Sequence, residues 1–136
     1  MPKLKIYNVF ISHAWKYDAE YYRIEKLLKD APNFSWKNYS VPQHDPLGTT
    51  TKKDLEETLR RHIRPTHVVV ILSGMYVAYR DWIQKEIDIA SEMGKPIIGI
   101  KPWGRERMPQ AVQNAAKEIV GWNTSSVVSA IRKHAL

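Results

Sequence analysis

The sequence predicts an α/β fold: a flavodoxin-like three-layer sandwich with a five-stranded parallel sheet in the order 2-1-3-4-5 and helices on both faces. Short apolar runs alternate with amphipathic segments along the chain, which indicates repeated strand–helix–strand units. Two of the runs, HVVVIL and PIIGI, are apolar throughout, as is typical of central parallel strands buried on both faces. Right-handed crossovers among five such strands most often give this order. Because no repeat, low-complexity tract or linker interrupts the alternation, residues 1–136 are expected to form a single domain.

Each predicted strand has its own signal. The first, IYNVFIS, is rich in β-branched and aromatic residues and ends in a small polar residue. The second, FSWKNY, alternates in polarity and suits a position near a sheet edge. The last, EIV, is brief and precedes a Gly-Trp-Asn turn. The predicted strands are residues 6–12, 34–39, 67–72, 96–100 and 118–120.

The predicted helices are recognised by apolar spacing and by their end signals. Asp18 and Thr124 are expected to cap the first and last helices, and Thr51 with Asp54 resembles a weak capping box. Gly94 ends the third helix, and Pro109 stands near the first turn of the fourth. The predicted helices are residues 18–30, 51–62, 81–93, 109–116 and 124–134.

Composition limits the possible classes of protein. There is no cysteine, so disulfides and thiolate chemistry are excluded, and the five histidines lack ligand spacing, so no metal site is expected. No apolar run approaches the about 20 residues of a membrane span, and the amino-terminal segment does not resemble a signal peptide. We therefore expect a cytoplasmic protein without membrane contact. The formal charge of +7 favours anionic partners, but the basic residues are scattered, which argues against a nucleic-acid-binding face.

The sheet order predicts where a ligand would bind. In open α/β sheets, ligands occupy the crevice at the carboxyl ends of the strands where the winding direction reverses, here between strands 1 and 3. Three segments border this crevice: Ser12 to Trp15, the long loop from Ser40 to Thr50, and Ser73 to Arg80. A loop as long as the second one in a small domain commonly carries function.

The helix over residues 81–93, DWIQKEIDIASEM, contains the most informative residue. Its apolar side holds Trp82, Ile87 and Ala90, and Glu86 points in a direction inside that apolar stripe. A carboxylate on an apolar face is costly unless it has a partner or a function. Two interpretations stay open: an edge carboxylate that pairs with a lysine or arginine, or a functional acid just below the mouth of the crevice.

Familiar occupants of this crevice are not supported by the residues. Ser12 and Ser73 stand where a phosphoacceptor receiver needs acids, and there is no Walker loop, G-x-G-x-x-G motif or nucleophile elbow. What remains is one acid that faces inward, a hydroxyl, two histidines, and tryptophans that could stack on a flat ring.

Several motifs resemble those of TIR domains. VFISHAWKYD is similar to their first motif, and DWIQKE to their W-x-x-x-E helix motif, which falls here on Trp82 and Glu86. NYSVP, GKPIIGIKPWG and IVGWNTSSVVSAIRKHAL are similar to the stand-alone TIR-like proteins of bacterial Thoeris antiphage defence. The resemblance covers nearly the whole chain.

The resemblance implies a function. Glu86 would be the catalytic residue of an NAD⁺ glycohydrolase or cyclase that makes an ADP-ribose-derived nucleotide signal, with NAD⁺ as substrate and no separate cofactor. It further implies a homo-oligomer on activation, a phage-derived trigger, and a separate effector protein that reads the diffusible product. Around Glu86, the expected substrate-binding residues are Ser12, His13, Trp15, Ser40, His44, Asp45, Ser73 and Trp82.

Each of these assignments has a simpler alternative. Ser12 could be a turn residue, His13 a helix or loop contact, Trp82 a core side chain, and Trp15 a surface aromatic. For Ser40, His44 and Asp45 the alternative is turn chemistry alone, with Asp45 before Pro46. For the whole chain the alternatives are a non-catalytic TIR-like adaptor, in which Glu86 would sit in a fixed salt bridge, and a nucleic-acid-binding domain with one contiguous basic face.

Overall fold

A five-stranded parallel sheet organises the protein. The structure is a computed structural model that describes residues 6–12, 18–32, 34–39, 52–72, 80–101 and 110–136. The strand order is β2-β1-β3-β4-β5, as the sequence predicts, and all four neighbouring pairs are parallel. The strands are β1 (Ile6–Ile11), β2 (Ser35–Asn38), β3 (Val68–Leu72), β4 (Ile97–Ile100) and β5 (Glu118–Val120).

Five helices in the described residues alternate with the strands. In the helical layers α2 lies beside α3, α3 beside α4, and α1 beside α5. Since crossovers between parallel strands are right-handed, the group α2, α3 and α4 covers one face of the sheet, and α1 with α5 covers the other. The helices are α1 (Asp18–Lys29), α2 (Lys52–Ile63), α3 (Arg80–Glu92), α4 (Gln110–Ala115) and α5 (Thr124–His134).

The core is centred on β3 and β4, every residue of which is buried. Each has helices over both of its faces, so their continuous apolar runs are the expected result. The strand β2 has exposed Ser35, Lys37 and Asn38, which confirms its predicted place at the sheet edge. The carboxyl half of β1 is also fully buried, and its register sets Ile11 opposite Val70.

The ends of the elements differ slightly from the prediction. The last helix begins at Thr124, but its N-cap is Asn123, whose side-chain oxygen accepts a hydrogen bond from the Ser126 N–H at 3.2 Å, so the assignment of the cap to Thr124 is wrong. His67 lies just outside β3, where its Nδ1 accepts a hydrogen bond from the Asn8 N–H at 2.8 Å. Gly94, where the sequence predicts that the helix stops, follows α3 with a φ of 69°, the left-handed conformation common at helix ends.

The length and hydropathy of the helices show whether any of them could cross a membrane. None of those in the described segments combines the length and the hydropathy that a bilayer span would need.

Candidate functional site

The seam between β1 and β3 is closed by the first residue after β1. Ser12 is completely buried, and its backbone N–H donates to the Val70 carbonyl at 2.9 Å. Its hydroxyl oxygen accepts a hydrogen bond from the Leu72 N–H at 2.8 Å. Ser12 thus joins the carboxyl ends of the two strands between which the winding direction reverses, which gives it a structural role in the sheet.

The helix α3 turns one stripe of side chains inward. Ile83, Glu86, Ile87 and Ala90 follow the spacing of one helix face, and each is at most 4% exposed. The direction predicted for Glu86 is therefore correct. Ile89 is also buried, although its direction lies outside the predicted stripe, because α2 packs beside α3 and covers a second side of the helix.

The Glu86 carboxyl is the least satisfied polar group in the described part of the chain. Its side chain is 0% exposed, and neither oxygen has a hydrogen-bond partner among the described residues. Burial raises the pKa of the Glu86 carboxyl well above its ordinary value. In this environment the neutral acid is favoured, and the ionised form would require a cation or a set of hydrogen-bond donors beside it.

The outer side of α3 has a different character. Arg60 on α2 bridges Glu56 on its own helix, at 3.1 Å, and Glu92 on α3, at 2.8 Å. Lys85 on α3 lies 3.7 Å from Glu56. We call these four residues the α2–α3 strap. The pairs between α2 and α3 cannot be recognised in the sequence, because they form only once the two helices are aligned.

A groove of about 300 Å³ runs along the strap. It does not include Glu86, which points to the opposite side of α3 from Asp88 in this groove. The acid predicted to be functional and the groove seen in the described residues are therefore separate features. The groove is lined by Glu56, Arg60, Gln84, Lys85, Asp88, Ile89 and Glu92.

The structure describes only part of the predicted site. Glu86 and Ser12 are both buried, on α3 and at the end of β1 respectively. Trp82 lies in α3, but its side chain is outside the described part. The described residues contain no group of three or more His, Asp or Glu side chains arranged to hold a metal ion. The other predicted residues, His13, Trp15, Ser40, His44, Asp45 and Ser73, lie outside the described residues.

Together these features define the class of protein: a flavodoxin-like α/β domain with a buried acid, on the helix that follows its third strand, for which the described residues offer no hydrogen-bond partner. The sequence comparison identifies the family. Residues 10–107 match the family model described as Thoeris protein ThsB, TIR-like domain, and the chain belongs to this family. The matched region contains both Ser12 and Glu86, and the membership supports a TIR-like role in antiphage defence. A comparison with curated proteins gives no match.

Solved structures with low sequence identity share the fold. A conserved protein from Enterococcus faecalis V583 superposes with a TM-score of 0.64 at 10% identity, covering 95% of this chain and 99% of that one. A 2-deoxyribosyltransferase from Bacillus psychrosaccharolyticus gives a TM-score of 0.64 at 11% identity, covering 88% and 89%. A CMP N-glycosidase from Clostridium botulinum gives 0.53 at 16% identity, covering 93% and 98%. At these identities the likeness is one of fold.

Proposed function

We propose that this chain is a TIR-type NAD⁺ glycohydrolase or cyclase, in which Glu86 is the catalytic residue. The observation that carries the proposal is the Glu86 carboxyl itself, fully buried on the sheet side of α3 with no hydrogen-bond partner in the described residues. A group of this kind costs folding free energy, so its presence is more readily explained by chemistry than by stability.

The chemistry suits a single carboxylate. In NAD⁺ the nicotinamide ring is already cationic, so the bond between its nitrogen and the ribose can break without a general acid. The bonding electron pair leaves with neutral nicotinamide, and positive charge develops on the ribose. A carboxylate beside this ribose stabilises that charge, and it acts more strongly where little water screens it. Water then attacks the ribose carbon in the glycohydrolase reaction, or a nitrogen of the adenine attacks it in the cyclase reaction.

Burial favours the neutral form of Glu86 in the free protein, whereas the reaction requires the carboxylate. The positive nicotinamide ring would favour ionisation of this acid when the substrate binds, with release of a proton. Substrate binding would thus create the catalytic charge where it is needed.

The remaining parts of the proposed site come from the three segments that border the crevice. Ser12 is completely buried and its hydroxyl accepts from the Leu72 N–H, so its proposed contact with the ribose or a phosphate, together with His13, requires local opening at the end of β1. Trp15 and Trp82 would pack against the rings. Ser40, His44, Asp45 and Ser73 would complete the site from the other two segments. These contacts are part of the proposal.

The fold is compatible with this reaction. The names of two of its structural neighbours describe an N-glycosidase and a 2-deoxyribosyltransferase. The likeness extends to the fold only, and the assignment of the catalytic residue depends on Glu86. We further propose that activity follows self-assembly or a phage-derived trigger, and that a separate effector protein reads the nucleotide product.

If the protein were a non-catalytic adaptor, a different environment would be expected for the Glu86 carboxyl. A non-catalytic adaptor would use this acid in a fixed salt bridge, and the described residues provide none. Arg60 and Lys85 are paired with Glu56 in the groove, so these two cations are not free to bind a nucleic acid.

The test is nicotinamide release from NAD⁺ by the wild-type protein, Glu86→Gln and Asp88→Asn, each with and without a phage lysate. Asp88 is an exposed acid on the same helix, so its amide variant controls for loss of charge on α3. We expect release from the wild type and Asp88→Asn and at least about a hundredfold less from Glu86→Gln. Equal release from all three would remove Glu86 from the mechanism, and no release under any trigger would favour the adaptor.

A further inference from the structure

The α2–α3 strap attaches α3 to its neighbour at two places. Arg60 contacts Glu92 near the end of α3, and Glu56 contacts Lys85 nearer its start. Lys85 and Glu92 are seven residues apart, which is about 10 Å along a helix, and they project from nearly the same side. Two attachment points on one side resist both sliding of the helix and rotation about its axis, whereas a single point would resist neither well.

The direction of the Glu86 carboxyl depends on how α3 is rotated about its own axis. Neither of its oxygens is hydrogen-bonded to any described residue, so among these residues no polar contact fixes the direction of the side chain. Its orientation is set by the helix and by the packing of its apolar neighbours Ile83 and Ile87. Glu86 directly follows Lys85 in the sequence, so a rotation of α3 that displaces Lys85 displaces Glu86 as well.

The charges of the strap are suited to act near neutral pH. The hydrogen bond from Arg60 is the main cause that lowers the pKa of the Glu56 carboxyl, and Arg60 likewise lowers the pKa of the Glu92 carboxyl. Exposed ion pairs contribute little to the free energy of folding. A contact of this strength can shift α3 only slightly, but a slight misplacement of a catalytic group lowers the rate far more than it lowers stability.

We propose that Arg60 is a positioning residue: apolar packing sets the approximate rotation of α3, and by bridging Glu56 and Glu92 Arg60 adjusts that rotation finely, and so the direction in which the Glu86 carboxyl meets the substrate. The catalytic consequence of this inference depends on the function proposed for Glu86. The structural consequence, a change in the surroundings of the Glu86 carboxyl, does not.

The experiment compares Arg60→Gln and Glu92→Gln, which remove either end of the contact between the helices, with the double variant. Arg61→Gln is the matched control, since Arg61 is an exposed arginine next along α2 that belongs to no ion pair of the described residues. Two quantities are measured: kcat and KM for nicotinamide release, and the titration midpoint of Glu86. The midpoint is followed by the infrared band of the protonated carboxyl, identified by its loss in Glu86→Gln.

We expect each single variant to lower kcat about tenfold with KM changed less than about twofold, since a small misplacement of a catalytic group acts mainly on the chemical step. The Glu86 midpoint should move in both single variants and stay unchanged in Arg61→Gln. The double variant should be no worse than Arg60→Gln, because Glu92→Gln removes only a contact that Arg60→Gln already removes.

If the titration midpoint of Glu86 is unchanged in Arg60→Gln, the proposal is overturned. A fall in kcat that only matches a loss of folded protein would not rescue it. Additive losses in the double variant would also overturn it. If the wild type releases no nicotinamide under any trigger, the proposed function fails, and the midpoint alone then decides whether Arg60 positions Glu86.

Discussion

The Ser12 hydroxyl accepts a hydrogen bond from the Leu72 N–H at 2.8 Å, although the two residues are 60 positions apart in the sequence. This bond joins the ends of β1 and β3 where the sheet changes its winding direction. Both groups are buried, so neither could exchange its partner for water without local opening of the sheet.

Removal of the Ser12 hydroxyl should therefore be costly. We expect Ser12→Ala to lower the free energy of unfolding by about 1–3 kcal/mol, because the buried Leu72 N–H would lose its acceptor. Denaturant unfolding measures the effect. Ser129→Ala, at an exposed position of α5, is the control and should change stability little. Equal stability of the two variants would show that the Leu72 N–H finds another acceptor without loss of free energy when the Ser12 hydroxyl is removed.

Replacement of Glu86 by an apolar side chain of similar length should stabilise the protein and abolish its function. Glu86→Met removes two unsatisfied oxygens from the core, and we expect a gain of about 1–3 kcal/mol in the free energy of unfolding. Nicotinamide release should be lost in the same variant. A large destabilisation would contradict this and would point to a partner for Glu86 beyond the described residues.

The stability of the protein should depend on pH through Glu86. The folded state holds the pKa of this carboxyl well above the ordinary value of 4.5, so it binds a proton that the unfolded chain releases. The contribution is fully present below pH 4.5 and is lost as pH rises toward the folded-state pKa. The free energy of unfolding of the wild type minus that of Glu86→Gln should therefore fall as pH rises from 4.5 toward the folded-state pKa of Glu86. A difference independent of pH would contradict burial of the acid.

Gly94 and Gly121 allow the energetic effect of a left-handed backbone conformation to be measured, because of the two only Gly94 has a positive φ. A Cβ at Gly94 would meet no atom within 4 Å, but its φ of 69° is unfavourable for other residues. A Cβ at Gly121 also meets nothing within 4 Å, and its φ lies outside the strained range. We expect Gly94→Ala to cost about 1–2 kcal/mol and Gly121→Ala to be nearly neutral, as measured by thermal unfolding. Equal effects would show that α3 can end without the left-handed residue.

Local periodicity was enough to predict the architecture. The apolar runs of β3 and β4 and the alternating pattern of β2 identify central and edge strands, and the order 2-1-3-4-5 follows from right-handed connections. The inward direction of Glu86 follows from helical geometry alone, because it depends only on its spacing from Ile83 and Ala90.

Contacts between distant segments could not be predicted in this way. The bond from Leu72 to Ser12 depends on strand register, and the bridge from Arg60 to Glu92 depends on the alignment of two helices. The cap at Asn123 shows a smaller limit, since a threonine and an asparagine side by side are both good N-caps, and backbone conformation decides between them.

The short outer strands have a consequence for how copies of this protein could meet. The strand β2 has four residues and exposes Lys37, while β5 has three. Short edge strands expose few unpaired backbone N–H and C=O groups, so they disfavour edge-to-edge pairing with the sheet of another chain. A complex of several copies would then be held by side chains of helices and connecting segments, a type of contact that can form and dissolve without refolding any subunit.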